Sequence, residues 1–232
     1  MRWTEYWNGT TTIYANARHK SVHYQRIARD LVGCLPGPDA RVVDYGCGDA
    51  LSAHVVADAC AHLFLCESAQ NTRDRLTDRY AGQSNIDVIS VQRFEALESA
   101  TIDMVIVNSV VQYLSPSEFA HFLGVCRDKL RPGGQLLLAD VIPHDIGVIQ
   151  DAGELLKFAA ANGFLLAAGT GLVRSFFSNY RQVRQQLGLL QFDEVEILSL
   201  LDQAGFLARR RRPNIGHNQQ RMTFMATVRS TG

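Results

Sequence analysis

Apolar positions along this chain change period several times, and each change marks an element. Between 17 and 35 they fall at Val22, Ile27, Leu31 and Val32 with polar residues between, the spacing of an amphipathic helix, closed by Pro36-Gly37-Pro38. Val42-Val43 reads as a buried strand, 51–59 as a helix and 62–66 as a second short strand. A charged helix over 69–80 precedes a strand over 86–91. Residues 102–107 (Ile-Asp-Met-Val-Ile-Val) are nearly all apolar, as expected of a strand buried on both faces. Ser115-Pro116-Ser117-Glu118 carries a capping signal with proline in the first turn and opens a helix to Leu130. Arg131-Pro132-Gly133-Gly134 is a turn before a buried strand over 135–142. Strands alternating with helices in this way predict a parallel α/β sheet with right-handed crossovers.

After Pro143 the rhythm breaks. Residues 144–190 form a glycine-punctuated segment with helical stretches and the aromatics Phe158, Phe164, Phe176, Phe177 and Tyr180, and so long a connection usually carries function. A helix over 192–204 follows. Strands over 206–212 and 222–228, joined by the polar stretch 213–220, read as an antiparallel hairpin. The first sixteen residues hold Trp3, Tyr6, Trp7 and Tyr14 without periodicity. The expectation is one domain over 1–232, with 1–38 as a cap and 144–190 as a lid.

Composition narrows the classes. At 232 residues the chain supports one sizeable core and is too short for two full enzyme domains. Lys+Arg and Asp+Glu are equal at 23, so no bulk field draws the protein to nucleic acid or an anionic membrane. The five cysteines form no Cys-x-x-Cys pair, which points to apolar fillers in a reducing compartment. His19 and His23 stand one helical turn apart, but no third ligand is suggested, and no metal is expected. The N-terminus has no signal-peptide pattern and no apolar run reaches membrane-spanning length, so a cytoplasmic location is expected.

The chemistry concentrates in Val42–Leu51, where an apolar run ends in Asp44 and Gly46 and Gly48 follow. Without Cβ atoms, these glycines permit unusual dihedrals and a close approach to the backbone. Asp44 needs a donor from the fold or from a ligand, because an unpaired buried carboxylate is costly. A dinucleotide turn wants a third glycine where Leu51 stands, and a Walker loop wants Gly-Lys-Ser/Thr, which is absent. Glu67 ends the second strand, where an acid can accept both hydroxyls of a ribose.

The turn over 42–51, Glu67, 102–113, Arg131-Pro132-Gly133-Gly134 and the closing hairpin occur in an order that resembles the class I S-adenosylmethionine-dependent methyltransferases. The resemblance covers about 40–142 and 193–229. It implies a Rossmann-like sheet of seven mostly parallel strands, helices on both faces, an antiparallel C-terminal hairpin strand and a helical lid. It also implies S-adenosyl-L-methionine as cofactor and S-adenosyl-L-homocysteine as product. By that resemblance Asp44 and the backbone of Gly46, Cys47 and Gly48 hold the methionine end. Glu67 binds the ribose, Ser68 lies beside the adenine, and Arg93's backbone or Phe94's ring contacts the adenine where the family often has an acid. Asn108 and Ser109 face the methionine carboxylate and the methyl, Gln112 lies near the cofactor or acceptor, and Tyr14 and Arg18 cover the cofactor from the N-terminal segment.

The residues after the fourth strand narrow the acceptor. Amide and base-amine methyltransferases of this family carry Asn/Asp-Pro-Pro-aromatic there, whereas this chain has Asn108-Ser109-Val110-Val111. No cysteine follows a proline, as cytosine C5 chemistry requires. Arg209–Arg212 is the argument for nucleic acid, but alternate side chains of a strand face opposite ways. A small-molecule acceptor is therefore expected, with the protein a monomer or homodimer. Where a base is needed, His144 is the first candidate, with Asp145, His19 and His23 behind it. The rivals are a partner subunit that has lost catalysis, a nucleic-acid methyltransferase and an NAD-dependent oxidoreductase.

Overall fold

Val42 and Val43 are neighbours in sequence and both fully buried, yet they belong to two separate apolar clusters. Strand side chains alternate, so a strand with no polar face needs helices on both sides. The computed structural model describes residues 14–144, 148–165, 167–168 and 189–229, and it provides those helices. Trp3, Tyr6, Trp7, Asp145, Gly147, Gly169, Gly171, Phe176, Phe177 and Tyr180 lie outside the described residues.

The elements in chain order are α1 (Ala17–Val32), β1 (Arg41–Tyr45), α2 (Ala53–Ala57), β2 (His62–Cys66), α3 (Gln70–Tyr80), β3 (Ile86–Ile89), α4 (Val91–Glu95) and β4 (Ile102–Asn108). A 3₁₀ turn (Val111–Tyr113) leads to α5 (Pro116–Lys129), β5 (Leu130–Val141), α6 (Val148–Asn162), α7 (Glu194–Gln203), β6 (Phe206–Arg211) and β7 (Met222–Val228). The seven strands stand in the order β3-β2-β1-β4-β5-β7-β6. All are parallel except β7, which runs antiparallel to β5 and β6. The seven-stranded sheet with an antiparallel C-terminal strand is the one expected.

One face packs Val43, Val105, Val107, Leu136 and Leu138 against Phe94, Phe119, Phe122, Ile197 and Leu201 of α4, α5 and α7. The other packs Val42, Leu63, Met104, Ile106 and Leu137 against Leu31, Val56 and Leu76 of α1, α2 and α3. Helix α5 begins with the expected capping box: Ser115 Oγ accepts the Glu118 N–H (3.2 Å), and Glu118 Oε2 accepts the Ser115 N–H (2.7 Å). Arg131–Gly134 belong to the span of β5, but the register with β4 jumps from Ile102↔Leu130 to Met104↔Gln135. The predicted turn is thus a bulge in which four residues stand opposite one without ending the strand. The strand expected over 86–91 is shorter, because Ser90 Oγ accepts the Arg93 N–H and caps α4.

The switch point lies between β1 and β4, where the chain first runs outward to β3 and then returns to β4. Open α/β sheets bind ligands beyond the carboxyl ends of the strands there. Val141 of β5 pairs with Met222 at the start of β7, so the β6–β7 turn stands over that same edge.

Candidate active site

The turn after β1 takes a path that a side chain would obstruct. Gly46 and Gly48 have φ of 73° and 58°. A Cβ on Gly46 would lie 2.5 Å from Val110 Cγ2, and one on Gly48 would lie 2.9 Å from Tyr24 Oη. The Gly46 N–H donates to Cys66 O (2.7 Å), which ties the turn to the end of β2. Buried Glu67 completes that join: its carboxylate accepts the Gly48 N–H (3.0 Å), the Ala69 N–H (2.9 Å) and the Ser68 hydroxyl (3.2 Å).

Asp44 stands at the end of β1 with no hydrogen-bond donor among the described residues. Burial, and then the charge of Glu67, pushes its carboxyl up to about 7. Across the switch point Asn108 Oδ1 is buried without a donor, and so is Gln112 Oε1. Buried polar atoms are normally paired, so an orphaned acceptor beside an unpaired acid marks a place for a donor from outside. Asp44, Gly46, Cys47 and Asn108 line a cavity of about 50 Å³ that Tyr24, Ile27 and Leu31 of α1 close from above. Tyr24 Oη accepts the Asp49 N–H (3.0 Å), which seats the helix on the turn. The N–H groups of Gly46, Cys47, Gly48 and Asp49 are all taken within the fold, by Cys66 O, Glu67 and Tyr24, so the open polar group of the turn is the Asp44 acid, which suits a cationic group. A cavity this small holds neither ribose nor adenine beneath α1, because whole-ligand pockets run to about 300–1,000 Å³.

Ser109 (φ 60°) donates its hydroxyl to Asp140 Oδ2 (2.7 Å), and Asp140 N–H donates to Asn214 Oδ1 (3.3 Å). The ends of β4 and β5 are thereby joined to the hairpin turn. Above them α1 carries a ring cluster. His19 stacks on Phe164 (4.9 Å between centroids), and His23 meets His217 of the hairpin turn (5.9 Å). Tyr14 packs on His19, His23 and Tyr24, and His217 stacks on Phe158 of α6 (4.6 Å). Burial, helped by His217, pulls His19 down to about 4 and His23 to about 3, so both rings are neutral near pH 7. Burial pushes the Tyr14 phenol up to about 12.

Asp44, Gly46, Cys47, Gly48, Glu67 and Asn108 are thus brought together, and Gln112 offers its buried acceptor after β4. Tyr14 joins the cap over the turn. Other expected residues have different occupations. Arg18 Nε donates to Asn162 O (2.7 Å), capping the carboxyl end of α6. Phe94 is a core residue, 1% exposed and packed on Tyr45, so its ring is not presented to a ligand, and the Arg93 N–H is taken by Ser90. Ser68 is exposed beside Glu67. His144 is half-exposed and pairs with Glu196 Oε2 (3.1 Å) on the first turn of α7, so its geometry does not favour the role of base. Tyr24, Asp140, Asn214 and His217 were not anticipated. Tyr24 sits one residue from His23, and that pairing of aromatic and imidazole was the one available signal.

Comparison with known proteins agrees with this fold. Residues 43–138 match the family model described as a methyltransferase domain. The carboxy-S-adenosyl-L-methionine synthase of Photorhabdus laumondii is 26% identical over 150 residues, 58% of either chain. A Haemonchus contortus phosphoethanolamine N-methyltransferase, solved with phosphoethanolamine and S-adenosylhomocysteine, superposes with a TM-score of 0.62 at 15% identity. That match covers 99% of this chain and 48% of the other. The magnesium protoporphyrin IX methyltransferase of Synechocystis, with bound S-adenosylhomocysteine, gives 0.59 at 18% identity, covering 98% and 93%. Residues 43–138 thus match a methyltransferase-domain model, and the fold is the one shared by class I S-adenosylmethionine-dependent methyltransferases. The chain spans only about half the length of the first relatives it matches.

Proposed function

We propose that the protein transfers a methyl group from S-adenosylmethionine to a small-molecule acceptor. The observation that carries this reading is the unpaired Asp44 carboxylate facing the orphaned Asn108 acceptor across a turn too tight for side chains. The bound cofactor supplies an activated methyl on a sulfonium, and in-line displacement needs mainly positioning. Asp44 takes the ammonium, and the glycine turn lets the ligand approach the backbone closely. Glu67 accepts the ribose hydroxyls once its bond to the Gly48 N–H is exchanged. The cap of Tyr14, Tyr24, His19 and His23 keeps water from the methyl.

The test is incubation with methyl-labelled S-adenosylmethionine and a metabolite extract. Label in a low-mass product supports the reading; label only in RNA or protein, or no transfer, contradicts it. The relatives named as carboxy-S-adenosyl-L-methionine synthases favour a second reading, in which the cofactor itself is remodelled. A cofactor of increased mass after incubation, with no methylated product, would select it.

A further inference from the structure

We propose that the cleft at the β6–β7 turn is an oxyanion site that holds a phosphate- or carboxylate-type group of the methyl acceptor, an inference that rests on the methyl-transfer reading above. The cleft measures about 310 Å³ and is lined by Arg210, Arg211, Arg212 and Arg221 with no carboxylate among its lining residues. The chain as a whole is neutral, so this gathering of guanidinium groups is local. Strand alternation divides Arg209–Arg211, but the strand ends at Arg211, and three successive arginines border the one cleft.

The nearby acids leave Arg211 and Arg212 without an ion-pair partner among the described residues. Glu194 takes Arg210 Nη1 (2.8 Å) and leaves Arg210 Nε buried without an acceptor. Asp30 shares the neighbourhood of Cys34 with Arg211, but it already accepts from Arg26 Nε (3.0 Å) and the Gly216 N–H (2.9 Å). Planar guanidinium groups bind oxyanions through paired, charge-assisted hydrogen bonds.

The wall of the cleft is built in advance. Asn214 is buried; its Nδ2 donates to Ile215 O (2.9 Å) and Asn218 O (2.8 Å), and its Oδ1 accepts from Thr223 Oγ1 (2.6 Å). The same Oδ1 accepts the Asp140 N–H, and Asp140 holds Ser109, so one side chain of the cleft wall is hydrogen-bonded through to the ends of β4 and β5. An oxyanion in the cleft would anchor the far end of an acceptor whose reacting atom reaches the ends of β4 and β5.

Inorganic phosphate is the probe, titrated by calorimetry into the full chain and into Arg211→Gln, Arg212→Gln and the double variant. The expected result is saturable binding, one phosphate per chain, weakened about tenfold by each single change and lost in the double variant. S-adenosylhomocysteine should bind the double variant as it binds the wild type, which also shows that the variant folds. No saturable phosphate binding, or binding retained in the double variant, overturns the site. Binding of a single-stranded oligonucleotide that the double variant loses, without phosphate binding, replaces it with a nucleic-acid surface. In the labelled-methyl assay a product retained on an anion exchanger, and reduced in the double variant, supports the acceptor as the source of the anion. A neutral product overturns that assignment. If wild-type protein binds phosphate but not S-adenosylhomocysteine, the methyl-transfer reading fails while the oxyanion site stands.

Discussion

At the scale of single residues, Gly46 and Asp44 carry most of the site. Gly46→Ala places a Cβ against Val110 Cγ2 at a φ of 73° and should cost about 1–3 kcal/mol of stability. Adding Val110→Ala removes the clash but not the dihedral strain, so the double variant should recover part of the loss in a chemical melt. Equal stability of the two variants would assign the whole cost to the backbone. Asp44 gives a pH signature. Its carboxyl titrates near 7, so an ammonium-bearing ligand should bind more tightly as pH rises from about 6 to about 8. In the free protein the sign for stability is opposite: a raised acid contributes most below about 4 and loses that contribution as pH climbs through 7. Flat cofactor affinity across this range would remove Asp44 as the partner of the ammonium. Asp44 and the two glycines were legible in the sequence, because an acid at a strand end and paired glycines each need a specific reason. The Asn108 orphan was legible only as a position, since orphaning depends on what surrounds the atom.

At the scale of elements, α1 does more than its amphipathic spacing announces. The sequence read it as an amphipathic cap. The structure makes it the roof of the turn, seated by Tyr24 and by a histidine cluster shared with α6 and the β6–β7 turn. His19 and His23 are held well below their ordinary value, so the unfolded chain takes up protons at pH 6.5 that the folded one refuses until about 4 and 3. Stability from these rings is complete above 6.5 and declines as pH falls through that window. His23→Gln carries no such proton, so its melting point should fall less steeply than wild type between pH 6.5 and 4.5. Parallel slopes would show that His23 is not held neutral. The short helix α4 shows the other limit of pattern reading. Ile86–Val91 looks like a continuing strand, and one serine capping the next three residues ends it.

At the scale of the whole molecule, the parallel α/β class followed from alternation and apolar run length, because those patterns are local and periodic, whereas the seven-stranded arrangement was implied by the family resemblance and the strand order appears only in the fold. Contacts between distant segments left no such trace. The hairpin turn donates from Gly216 to Asp30, 186 positions away in sequence, and places His217 on His23. A polar stretch after a strand announces a turn, not its neighbours. Arg209–Arg212 read as a run divided between two faces, whereas the end of β6 gathers three of the four around one cleft. The central claim is that one cofactor binds where β1 and β4 diverge, with Asp44 as its charge partner. Calorimetric titration of S-adenosylhomocysteine at pH 8 into wild type and Asp44→Asn tests it most directly. The account predicts one site per chain in the wild type and an affinity at least about tenfold weaker in the variant, the loss expected for one buried charge-assisted pair. Equal affinity in both proteins, or no binding to the wild type, would contradict it.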